Sequence, residues 1–254
     1  MPSKVIGQVV RRLVQEECLA IANALAAEAD IHTGVHSARK AIRHLRAVLA
    51  LFASDEQPLA KADRALRRLG RGLSTLRDAH VLVETAQSLQ ADTPLPAWTA
   101  VIAQLRARRD RLLQRARGQD PGFMKKRRVV QRIGVDLDAQ SWESVRKADL
   151  RRALARSERR VKKAAARAGD SDDAEALHDW RRRVRRLRMQ LEVMARLDGG
   201  LVKDHAGSDG GKHAKVLHRL SDALGREQDL RLLRNQIRAM PGLQDKAQLM
   251  ALAR

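Results

Sequence analysis

Apolar residues recur along most of this chain at intervals of three and four, the spacing of one face of an α-helix. The clearest case is the run from His36 to Phe52. Taking His36 as origin and stepping about 100° per residue, Ala38, Ala41, Ile42, Leu45, Val48, Leu49 and Phe52 share one face, and that face faces the core. The same period predicts helices over 4–29, 34–53, 57–91, 97–117, 140–168, 173–197, 211–239 and 243–253, with a further short helix over 123–133. Breakers stand between them: Asp92-Thr93-Pro94-Leu95-Pro96, Gln119-Asp120-Pro121-Gly122, Asp198-Gly199-Gly200 and Ser208-Asp209-Gly210-Gly211. Alternating apolar and polar runs of the strand type do not compete, so the fold class expected is all-α.

The polar positions of these helices follow a pattern of their own. On the His36 helix, His36, Arg39, Lys40, Arg43 and Arg46 fall within one arc of about 120°, opposite the apolar face. No acidic residue interrupts the run from His36 to Phe52. A second helix repeats the arrangement, with His178, Arg181, Arg182, Arg185 and Arg188 in the stripe and Trp180, Val184, Leu187, Leu191 and Met194 opposite. Solvated helix faces usually alternate in sign, because carboxylates four residues away relieve repulsion between cations. A like-charged stripe built twice needs another reason. Each stripe spans about 15 Å of helix. Arginine offers a planar fork that grips phosphate through two bonds, and histidine adds a donor whose charge rises beside an anion. A row of such groups suits a linear polymer.

The duplication extends downstream. His36 and His178 are 142 residues apart, while Leu73 to Leu82 around Asp78 matches Leu224 to Leu233 around Asp229 at an offset of 151. The chain therefore divides into a first four-helix repeat over 1–118, a connecting segment over 119–139 and a second four-helix repeat over 140–254.

Composition narrows the partner. The 254 residues carry 51 Lys and Arg against 30 Asp and Glu, a formal charge of +21. An excess that large calls for a polyanion: nucleic acid, an anionic surface or another phosphate polymer. Two Phe, three Trp and no Tyr leave almost nothing on which to stack bases. A membrane protein is not expected, since no apolar run approaches the roughly 18 residues a spanning helix needs. The amino terminus lacks the apolar stretch of a signal peptide, and the single cysteine, Cys18, has no partner for an internal disulfide. A cytoplasmic protein is the expectation.

At the stripes the sequence resembles the CHAD domain, the conserved-histidine α-helical domain. The likeness rests on Val35-His36-x-x-Arg39-x-x-x-Arg43-x-x-Arg46, on Leu177-His178-x-x-Arg181-x-x-x-Arg185-x-x-Arg188, and on Arg77-Asp78 and Gln228-Asp229. It implies two pseudo-twofold-related four-helix bundles with a basic central channel, binding of inorganic polyphosphate by the matching His, Arg and Lys residues, and association with polyphosphate granules. Lys40, His218 and Ser221 depart from the family's usual residues.

Further residues admit blander roles. Arg64, Arg67, Arg68 and Arg71, with Lys212, Lys215 and Arg219, either extend the basic lining or lie on open surface. Asp78 and Asp229 either orient stripe arginines or make local caps and ion pairs. Lys125-Lys126-Arg127-Arg128 is a basic patch of a size that is usually just solvated. His178-Asp179 resembles part of a metal phosphohydrolase site but lacks the further ligands, and His205, His213 and His218 are loosely spaced, so no metal or cofactor is expected. Phosphate-binding glycine loops and the triphosphatase signature Glu-x-Glu-x-Lys are absent. The reading is a non-enzymatic polyphosphate binder; its alternative is a sequence-nonspecific nucleic-acid-binding protein using phosphate contacts, and protein partners are not specified.

Overall fold

The computed structural model describes residues 3–27, 30–52, 57–170, 173–197 and 209–253. Among the described residues the protein is helical throughout, without strands. Its elements are α1 (Ser3–Ala26), α2 (Ile31–Phe52), α3 (Gln57–Gly72), α4 (Ser74–Asp92), α5 (Pro96–Gln119), α6 (Met124–Asp138), α7 (Lys147–Gly169), α8 (Ala174–Leu197), α9 (Asp209–Ala239) and α10 (Lys246–Leu252). The breaker Asp198-Gly199-Gly200 and His205 lie outside the described residues, as do the side chains of Lys212 and His213.

Several boundaries differ from the expected ones, and four of the differences involve elements shaped by specific contacts. α2 starts at Ile31 rather than 34, because the Asp30 carboxylate accepts the Thr33 backbone N–H at 3.1 Å and caps the first turn. The expected helix over 57–91 is two helices, broken at the fully buried Leu73. There the Leu73 N–H turns to the Gly70 carbonyl, and the Arg39 guanidinium donates to that same oxygen and, at 2.6 Å, to Ser74 Oγ. α7 starts at Lys147 rather than 140, since Trp142–Ser144 form a short 3₁₀ turn that buries Trp142 and lets its indole N–H donate to the Leu137 carbonyl at 3.0 Å. α6 runs on to Asp138, where 133 was expected. Buried Asp120 caps it, accepting the Lys125 backbone N–H at 2.8 Å.

Two helical hairpins organise the chain: α1 packs on α2, and α7 packs on α8. They meet where α2 lies against α8. Three apolar clusters fill the interior. The largest joins α1, α2, α3 and α6 to Leu150 and Ala153 of α7 and Val193, Met194 and Leu197 of α8. A second joins Trp98 and neighbours on α4 and α5 to Leu233 and Ile237 of α9 and Leu249 of α10. The third lies within α7, α8 and α9. Two of the three thus draw on both sequence repeats. The apolar faces expected of α2 and α8 are the buried ones, with Leu45, Val48, Val184 and Leu187 almost wholly enclosed. That burial fixes the rotation of both helices, and hence where their basic stripes point.

Candidate anion-binding site

The stripes of α2 and α8 line two cavities. The larger, about 670 Å³, is bounded by His36, Lys40 and Arg43 of α2, by Arg181, Arg185 and Arg188 of α8, and by residues of α4 and α9. The smaller, about 340 Å³, is bounded by Arg39, Arg43 and Arg46 of α2, by His178, Arg182 and Arg185 of α8, and by residues of α3. All ten residues singled out in the sequence therefore line one cavity or the other. Arg43, Arg185 and Met189 line both and form their common wall. His36 and His178 open on different cavities. His36 sits with Arg188 and His178 with Arg46, so the two helices pass one another in opposite directions.

The ten cations are not equally available. Arg39 is turned to Gly70 and Ser74, where it braces the break between α3 and α4. Arg46 is held by both oxygens of Asp63, at 2.7 and 3.3 Å. Arg182 shares Asp179 with Arg183, at 3.1 and 2.7 Å, and Arg188 stands 3.7 Å from Glu192. Asp179 is thereby engaged by two guanidinium groups. Lys40, Arg43, Arg181 and Arg185 have no ion-pair partner among the described residues. The Nε groups of Arg39, Arg43, Arg181 and Arg188 are buried without a hydrogen-bond acceptor. Orphaned buried donors are costly, and four of them converge on this one region.

Electrostatics report the same crowding. Burial, followed by repulsion from Arg39, Arg77, Arg181 and Arg188, pushes the Arg43 guanidinium down to about 10. Burial, followed by Arg181, Arg43 and Arg77, pushes Arg185 down to about 9 despite the attraction of Asp229. Both stay charged at neutral pH. His36 is lowered from the usual histidine value by burial and then by Arg77 and Arg43. His178 is lowered by burial and then by Arg182, Arg181 and Arg185, against a hydrogen bond to Gln228 that works the other way. The site is an array of cations held close together without enough anions to balance them.

The Asp78 and Asp229 alternatives resolve toward ion pairing, through a residue that sequence reasoning passed over. Arg77 of α4 places one nitrogen 3.2 Å from Asp78 and 3.2 Å from Asp229 of α9, tying the two downstream segments together on the lining of the larger cavity. Its signal was present in the matched Arg77-Asp78 and Gln228-Asp229 dipeptides. Of the flanking basic residues, Arg67 and Arg71 line the smaller cavity, whereas Arg64, Arg68, Lys215 and Arg219 line neither. His218 and the buried Ser221 line the larger one, with His218 2.7 Å from Asp222.

Among the described residues the protein is all-helical, with paired cation-lined cavities where its two helical hairpins meet. The chain matches the CHAD domain over residues 12–238, and it belongs to that family. Its structure is similar to the crystal structure of the CHAD domain from the plant Ricinus communis, with a TM-score of 0.62 at 20% identity, covering 99% of this chain and 83% of that one. At that identity the likeness shows the fold. No curated protein matches the chain. Among the described residues no helix is long and apolar enough to cross a membrane, and no cluster of three His, Cys, Asp or Glu is placed to hold a metal ion.

Proposed function

We propose that the protein binds inorganic polyphosphate along the facing stripes of α2 and α8, as a binding module rather than a catalyst. The observation that carries this is the wall shared by the two cavities, where Arg43 and Arg185 are charged, mostly enclosed and without a carboxylate partner among the described residues. A chain of phosphates passing from one cavity to the other meets both, along with Lys40 and Arg181. The groups that dominate the lining are guanidinium ions, which hold phosphate oxygens through paired bonds but do not transfer protons at neutral pH. That supports binding over hydrolysis. Membership of the CHAD family supports polyphosphate as the ligand, and with it a place at polyphosphate granules in the cytoplasm.

The aromatic residues support polyphosphate over nucleic acid. Phe52, Trp98, Phe123 and Trp142 are buried and Trp180 is packed partly against the apolar cluster of α7–α9, so none offers an open platform for bases. The test is competition at equal phosphate concentration between polyphosphate and single- or double-stranded nucleic acid. The proposal expects polyphosphate to displace either nucleic acid. Displacement of bound polyphosphate by DNA or RNA would reverse the assignment. Salt dependence alone does not discriminate, since both ligands release counterions.

A further inference from the structure

The connecting segment builds a feature that phosphate binding does not use. Between α1 and α6 runs an open trough of about 730 Å³. Its floor is made of small residues: Cys18 and Ala22 of α1 and Gly134 of α6, where a Cβ would already stand 3.7 Å from the Cys18 sulfur. Large apolar side chains stand along its banks, Leu19 62%, Val135 65% and Met124 47% exposed. Single exposed leucines and valines need no explanation, but three lining one trough mark an interaction site. They are not displaced core residues, because α6 already buries Val130, Ile133 and Leu137 against the main apolar cluster.

Charge selects the occupant. Arg127 and Arg128 line the trough without a carboxylate partner among the described residues. Asp138, the acid on the lining, is already engaged by Gln15 at 2.8 Å and Arg11 at 3.8 Å. The unpaired charge at the rim is therefore positive. A second copy would bring a formal charge of +21 against another of +21, which opposes self-docking. α6 has 15 residues, so the trough runs along about 22 Å of helix, the length of four turns of a partner helix. We propose that this trough docks an amphipathic helix of an acidic partner protein, its apolar anchors seated between Leu19 and Val135 and its carboxylates on Arg127 and Arg128. The mode is a helix laid in a groove, with anchors one turn apart.

The test uses the full chain and three fluorescent synthetic peptides about four turns long: a Leu/Glu amphipathic helix, its Leu/Lys counterpart, and a Leu/Glu peptide with the apolar spacing scrambled. The Leu/Glu helix is expected to bind saturably, and the other two at least about tenfold more weakly. Leu19→Asp and Val135→Asp are each expected to cost about tenfold or more, with circular dichroism melts unchanged because both side chains are exposed. Arg127→Glu with Arg128→Glu shifts preference toward the Lys peptide. Arg43→Met with Arg185→Met leaves peptide binding intact, which separates this site from the phosphate-binding cavities. Absence of saturable binding, or binding indifferent to Leu19→Asp and Val135→Asp, overturns the proposal. So does a dimer in sedimentation velocity that these two substitutions abolish, since the occupant is then a second copy.

Discussion

Replacing Arg185 with methionine separates what the site costs the fold from what it does for the ligand. Burial and the neighbouring arginines push the Arg185 guanidinium down to about 9, which disfavours its charged form by several kcal/mol, at about 1.36 kcal/mol for each tenfold change in proton affinity. Solvent in the cavities and the loss of the guanidinium's own contacts reduce the recoverable part to about 1–2 kcal/mol. Methionine keeps most of the stem volume and lies beside Met189 in the shared wall. For a chain of this size a gain of 1–2 kcal/mol is a rise of roughly 2–8 °C in the midpoint of thermal unfolding. Under the proposed function the same substitution removes a charge-assisted phosphate contact of about 1.5–3 kcal/mol, so polyphosphate affinity is expected to fall roughly tenfold or more. Thermal melts without ligand and isothermal titration with a long polyphosphate measure the two effects on the same protein. A variant that melts lower and binds as well as the parent would show that Arg185 is a structural brace and not a phosphate ligand.

Acidification separates fold from binding in the same way. His36 and His178 titrate below the free histidine value in the unliganded fold, so the unfolded chain holds more protons as pH falls through about 6.5, and stability drops there. A bound polyanion favours the charged imidazoles, so affinity rises over the same interval; melts and titrations between about pH 7.5 and 5.5 check both signs. Asp63→Asn releases Arg46 from its two-pronged ion pair, and a titration is expected to show affinity rising about threefold with a steeper salt dependence. Gly34→Ala drives a methyl into the Ala24 carbonyl oxygen where α2 crosses α1, at an expected cost of about 1–3 kcal/mol in denaturant unfolding with little change in affinity.

What the sequence made legible was rotational. A period of 3.6 places Leu45 and Val48 in the core and Arg43 opposite them, and packing enforces that geometry, so all ten stripe residues reach the cavities. What it concealed was which cations are already taken. Arg46 is neutralised by Asp63, 17 residues away on another helix, and Arg39 is spent on the Gly70 carbonyl at a helix break. Neither contact belongs to the period of a single helix. The break itself had a cue in Gly70 and Gly72, but only burial of Leu73 at the corner makes it necessary. The connecting segment was the least legible part: Lys125 and Lys126 read as half of a basic patch, yet their backbone N–H groups are the donors that Asp120 caps.

On the proposed function, Arg43 and Arg185, left without ion-pair partners among the described residues at the wall between two cavities, grip a linear phosphate chain. Isothermal titration of a long polyphosphate into the parent and into the Arg43→Met, Arg185→Met double variant tests it most directly. This pair leaves the Arg39 brace untouched, so a loss of binding is not a loss of fold. The expected result is a loss of about a hundredfold or more, with each contact worth about 1.5–3 kcal/mol, in a protein that melts no lower than its parent. Undiminished affinity in the double variant would contradict it.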